Sequence, residues 1–135
     1  MSLAREKYYR GLFLLSAIYD LVLGIIFAFL YRSAFGWLGI AGQLPRFGGY
    51  LTLLGAFVLV IGVAYFLVFR GDLRQNRDLI LVGTLYKLAY CAVVFYYLSL
   101  GTLPHLIFAA LFGVVDSLFF ILMAECWIFL GNHDP

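Results

Sequence analysis

The sequence predicts an all-α integral membrane protein, a four-transmembrane-helix bundle with both termini on the cytoplasmic side. Three observations predict it. Hydrophobic residues make up 65% of the 135 and charged residues only 12%, with a mean hydropathy of +1.03. A water-soluble domain carries about 25% charged residues, because its surface must be hydrated. Four apolar stretches each reach the ~20 residues that cross a hydrocarbon core as a helix. The basic residues between them are also unevenly shared: Arg5, Lys7, Arg10, Arg70, Arg74 and Arg77 fall on one side, Arg32 and Arg46 on the other. Basic loops stay in the cytoplasm, which fixes the orientation and suggests the inner, cytoplasmic membrane.

The first span is read over Gly11 to Tyr31. Its basic preface superficially resembles a secretory leader. The apolar run exceeds the 7–15 residues of a leader core, and no small-x-small cleavage site follows, so it is expected to remain as the first helix. Tyr31 to Ile40 is too short to span and mixes aromatic, basic and apolar residues. It is expected to lie along the outer interface, where Trp and Tyr concentrate, the alternative being a small lid over the bundle. The second span covers Tyr50 to Phe69. The turn from Arg70 to Asp78 follows, with Asn76 or Asp78 as the expected cap of the next helix. Arg70, Arg74 and Arg77 there are candidates for holding anionic lipid headgroups. The third span covers Leu79 to Leu100, and the connection from Gly101 to His105 is so short that the third and fourth spans must be antiparallel neighbours. Pro104 suits the entry to the fourth span, Leu106 to Leu130. Runs this long lack the two-residue alternation of a membrane barrel, so each must satisfy its backbone as a helix. No linker divides the chain, and residues 1–135 are read as one domain.

Composition also narrows function. A formal charge of +2 without a basic patch gives no reason to expect nucleic acid. Cys91 and Cys126 lie inside apolar stretches, where a free thiol packs as a small hydrophobe. His105 and His133 have no second histidine on a shared helix face, so neither metal nor heme is expected. No Cys-x-x-Cys pair, His-Glu-x-x-His helix or Ser/His pairing at membrane depth points to an enzyme, and no cofactor is expected. Phe95, Tyr96, Tyr97, Phe119 and Phe120 could line a pocket, although lipid contact and packing are the commoner roles for such residues.

Asp20, Lys87 and Asp116 carry the most information. Each lies eight to ten residues into its span, about 12–15 Å deep at 1.5 Å per residue, and so near the bilayer midplane. An ionised side chain there costs about 2.5–3.5 kcal/mol, which predicts that all three face inward and find one another. Small residues on the same faces support this: Ser16 and Gly24 around Asp20, Gly83 and Cys91 around Lys87, and Gly113 before Asp116. Thr52, Gly55 and Gly62 form a comparable stripe on the second span, which is expected to complete the wall. Ile18-Tyr19-Asp20-Leu21 and Leu85-Tyr86-Lys87-Leu88 are similar enough to suggest two weakly repeated hairpins. Tyr19, Tyr86 and Tyr90 are expected to donate hydrogen bonds to a carboxylate at this centre. Two acids and one lysine leave an excess negative charge, to be met by a proton on one carboxyl or by a cation or proton-bearing ligand. Glu125 lies on the opposite face from Asp116, where snorkelling or an interface with another subunit would account for it.

The Tyr19-Asp20 pair, Leu54-Gly55-Ala56, the run from Asn76-Arg77-Asp78 through Gly83 to Lys87, and Gly113 with Asp116 together resemble small bacterial four-helix membrane proteins broadly similar to the DoxX-like group. The resemblance covers nearly the whole chain through short motifs. It implies the four-helix architecture and the midplane polar centre; DoxX-like proteins are associated with accessory subunits of quinone-linked oxidation, and no cofactor-binding signature here carries that role over. The residues themselves favour a non-enzymatic membrane protein that binds a lipid-like or quinone-like molecule, or a membrane partner subunit, around Asp20, Lys87 and Asp116. A purely structural accessory subunit and a proton-coupled transporter resembling small multidrug resistance proteins are the alternatives, and a second copy of the chain is a candidate partner. Lys87 would repel a cationic drug in the last of these.

Overall fold

Ser2 sets the start of the first helix. Its hydroxyl accepts a hydrogen bond from Arg5 N at 3.2 Å, so α1 runs Leu3–Phe29. The structure, a computed structural model, describes residues 1–133, which are all-helical with no strand among the described residues. The helix thus begins ahead of Gly11, where the apolar run starts, because capping fixes the backbone and hydropathy only its solvent. Its 27 residues span about 40 Å, longer than the ~30 Å hydrocarbon thickness. The chain turns at Leu30 (φ −117°, ψ 13°), so Tyr31 belongs to a separate short helix, α2, Tyr31–Trp37. Phe35 of α2 is buried against Phe108, with ring centroids 6.0 Å apart, while Trp37 points outward.

Three long helices follow: α3 over Gly49–Arg70, α4 over Arg77–Ser99 and α5 over Leu106–Asn132. With α1 they make four helices long and apolar enough to cross a membrane. They pair as two hairpins. α1 packs along α3, α4 along α5, and α3 meets α4 only lightly. The first pairing depends on Gly55, where a Cβ would stand 2.7 Å from the Gly24 carbonyl oxygen and collide with the Ala28 backbone.

The turn between α3 and α4 is tied by side chains other than those expected. Asp72 Oδ1 accepts from Gln75 N at 2.9 Å, and Asn76 Nδ2 donates backward to Asp72 O at 2.7 Å. Asn76 is therefore committed to the turn and Asp78 faces outward, so neither side chain caps α4. Arg10 crosses from α1 to donate to the Phe69 and Gly71 carbonyls at 2.6 and 2.7 Å, and Glu6 holds it at 3.0 Å. A cation at the carboxyl end of α3 meets its orphan carbonyls and opposes the negative end of its dipole.

The core forms two clusters. One, including Tyr9, Phe13, Met123, Cys126 and Leu130, fills the amino-terminal end. The other, including Leu23, Phe27, Val58, Val94 and Phe112, fills the opposite end. Tyr19 and Tyr86 border both, and the polar centre lies between them. In α5 the first turns are wide: residues Ala109–Val115 are π-helical, ending immediately before Asp116. Such segments re-aim the side chains that follow them.

Candidate functional site

Asp20, Lys87 and Asp116 meet at one point, contributed by α1, α4 and α5. Lys87 Nζ donates to Asp20 Oδ1 at 2.9 Å and to Asp116 Oδ1 at 3.0 Å. Lys87 is 0% exposed and each acid 2%. The rings of Phe119, Tyr19, Tyr65 and Tyr86 surround the ammonium, with centroids at 5.0, 5.1, 5.4 and 5.7 Å. These distances lie within the ~6 Å over which a ring face attracts a cation. Two ammonium protons go to carboxylates, and ring faces meet the rest of the charge.

Packing explains why these side chains arrive together. Asp116 follows the π-helical turns, and Tyr19 OH donates to the Leu111 carbonyl within those turns at 2.6 Å. Cys91 lies beside them, its Sγ 3.9 Å from Gly113 O and 3.3 Å from Ser117 Oγ, which makes it part of the α4–α5 packing. Tyr65 OH donates to the Gly83 carbonyl at 2.6 Å. A Cβ on residue 83 would run into the Tyr65 ring, so glycine there opens the approach.

The expected tyrosine donors need correction. Tyr19 bonds to a backbone carbonyl, not to a carboxylate. Tyr86 and Tyr90 pack edge-on against each other, with centroids 4.9 Å apart. The reason is geometric: Lys87 already occupies one oxygen of each acid, and rings that turn their faces to the ammonium aim their hydroxyls elsewhere. Sequence reasoning missed Tyr65 and Phe119 as walls of the lysine cage. The available signal for Tyr65 was its position three residues after Gly62, on the small-residue stripe that faces α1 and α4. Tyr65→Phe should lower stability by about 1 kcal/mol, read as a lower thermal midpoint in detergent. An unchanged midpoint would show that the bond to Gly83 contributes nothing.

The arginines of the turn divide. Arg70 is exposed and Arg74 partly so. Arg77 stacks 4.3 Å over the Trp127 ring and donates from Nε to the Trp127 carbonyl at 3.3 Å. Its guanidinium is held against α5, which removes it from the headgroup candidates. Glu125 finds partners inside the chain, accepting from Tyr9 OH at 2.8 Å and pairing with Arg5 at 3.6 Å.

A cleft lies beside the centre. It encloses about 530 Å³ between α3 and α4, and its wall is essentially all carbon. Leu51 and Leu54 form one side, Ala89, Val93 and Tyr97 the other, and Phe112 stands at the back. Among the five aromatics weighed from sequence, Tyr97 lines this cleft, Phe119 faces Lys87, Phe95 and Tyr96 are exposed, and Phe120 is half-buried away from the cleft, beside Glu125. Tyr86 and Tyr90 belong to both places, touching the cleft with their rings while Tyr86 covers the ammonium. A second apolar cavity of about 180 Å³ lies between α1, α2 and α5 and shares Phe27, Phe35, Phe108 and Phe112 with the first. The polar centre is thus sealed and too small for an organic ligand, whereas the cleft has the ~300–1,000 Å³ of a small-molecule site.

No family model, no curated protein and no solved structure matches this chain.

Proposed function

We propose that the chain spans the inner membrane four times, with both termini in the cytoplasm, and binds the hydrocarbon part of a lipid-like or quinone-like molecule in the α3–α4 cleft. The observation that carries this reading is the carbon-lined cleft of about 530 Å³ beside the closed polar centre. Hydrocarbon gains little by leaving lipid for an apolar pocket, so retention depends on shape and close contact with aromatic faces. Tyr90 and Phe112, with ring centroids 5.4 Å apart, supply such faces. The Asp20–Lys87–Asp116 centre supports the cleft by locking α1 to the α4–α5 hairpin, so that α3 and α4 can stay apart without the bundle collapsing.

Ala89 stands on the cleft wall. Ala89→Trp should fill the space and reduce the copurifying lipid or quinone retained through native mass spectrometry about tenfold, equivalent to ~1.4 kcal/mol of binding. The thermal midpoint should not fall. Equal retention by both proteins, or no retained molecule in either, would remove the proposal.

A further inference from the structure

Toward the end of the bundle away from the start of α1, the two hairpins are joined by hydrocarbon alone. The last polar tie between them is the bond from Tyr19 OH to the Leu111 carbonyl. Beyond it, among the described residues, no hydrogen bond or ion pair joins α1 or α3 to α4 or α5. Helices packed in the order α1, α3, α4, α5 place the gap between α3 and α4 opposite the gap between α5 and α1. The cleft occupies the first gap and the cavity of about 180 Å³ the second. Phe27, Phe35, Phe108 and Phe112 line both, so they are the partition between the two spaces. Their rings form one row, with centroids 5.8 Å apart from Phe27 to Phe112, 6.1 Å from Phe112 to Phe108 and 6.0 Å from Phe108 to Phe35. Phe35 is the single buried residue of α2, which lies between the turn at Leu30 and Gly39, at φ 75°. No side-chain hydrogen bond or ion pair ties α2 to a long helix among the described residues, so the insertion of this one ring is what seats it.

We propose that the cleft and the second cavity form one passage across the bundle, opened when Phe35 withdraws, and that its occupant is a lipid with a single long hydrocarbon chain. The proposal extends the cleft site described above and depends on it. The second cavity is smaller than the ~300 Å³ at which independent small-molecule sites begin. It is also wholly apolar, and such cavities do not hold water. Its fitting content is the far end of a chain that enters through the α3–α4 gap. A two-chain lipid does not suit this geometry. Its chains leave one headgroup side by side and must enter through the same gap, whereas the two spaces here face opposite sides of the bundle and meet only through the phenylalanine row. Length selects the guest, because each added carbon that passes the row exchanges lipid neighbours for aromatic faces held in place.

Ligand exchange on the delipidated full chain in detergent micelles, read by native mass spectrometry, tests this with three probes that share one headgroup: oleoyl lysophosphatidylcholine, its decanoyl counterpart, and dioleoyl phosphatidylcholine. The micelle competes for every methylene, so chain length counts only where the protein touches the added carbons. The oleoyl single-chain probe should be retained about tenfold more than either of the others. Ala34 lines the second cavity and not the cleft. Ala34→Trp should therefore lower retention of the oleoyl probe to the level of the decanoyl probe and leave the decanoyl probe unchanged. The wild-type series decides the matter if that variant fails to fold. Equal retention of the oleoyl and decanoyl probes by the wild type, retention of the dioleoyl lipid equal to that of the oleoyl probe, or a preference untouched by Ala34→Trp would overturn the passage and leave the cleft as a shorter site. Retention of none of the three would overturn the passage and the cleft site together.

Discussion

Lys87→Met should destabilise the protein by about 3–5 kcal/mol, the usual penalty for removing one member of a buried ion pair. The thioether matches the lysine stem in length, so the packing against Tyr19, Tyr65, Tyr86 and Phe119 is largely kept. What is lost is the donor to two enclosed carboxyl groups. The triple variant Asp20→Leu, Lys87→Met, Asp116→Leu should recover most of that loss, because removing every charge leaves nothing to solvate. Unfolding by SDS titration, followed by circular dichroism, gives the comparison. If the single variant is as stable as the wild type, the centre is not an enclosed ion pair. If the triple variant is no better than the single, the loss comes from packing and not from charge.

Gly55→Leu is the second substitution with a large expected effect. Gly55 lets α3 lie against Ala28 and the Gly24 carbonyl of α1, with no space for a side chain. Overpacking in a closely fitted interior costs about 1–3 kcal/mol when neighbours can move. Here the obstacle is backbone, so the helices must separate, and the upper end of that range or more is expected. Gly11→Leu is the matched control, since a Cβ there meets nothing within 4 Å. Thermal unfolding in detergent should show a midpoint far lower for residue 55 than for residue 11. Equal midpoints would mean that α1 and α3 do not approach as closely as described.

The features legible in the sequence are those governed by large free-energy terms. Four apolar runs of about 20 residues without two-residue alternation read as helices, the form that satisfies its own backbone. Three charges midway along apolar helices were expected to turn inward, because an ionised group facing hydrocarbon would cost several kcal/mol. Gly55, Gly83 and Gly113 marked the faces on which the helices approach. Smaller or purely geometric effects were not legible. Nothing in Ala109–Val115 distinguishes a π-helical stretch from an α-helical one, since both bury the same side chains. The hydroxyl directions of Tyr19, Tyr86 and Tyr90 depend on which ring face meets Lys87, a matter of packing with no periodic signature. The cleft was equally hidden. It exists because α3 and α4, adjacent in sequence, are held by different partners, and composition does not record which helix pairs with which. Arg77 illustrates a local limit, since a basic turn residue reads as solvated until Trp127 is found 50 positions away beneath it.

The claim on which the functional account rests is that the α3–α4 cleft retains a hydrocarbon guest while the polar centre stays closed. A lipid carrying a photoreactive diazirine in its tail, incorporated during expression and followed by stringent delipidation before illumination, tests it most directly. Crosslinks should survive at Leu51, Leu54, Ala89, Val93 and Tyr97, the cleft wall. Labelling spread evenly over outward residues such as Val60, Val114 and Leu118, with none retained in the cleft, would contradict the account.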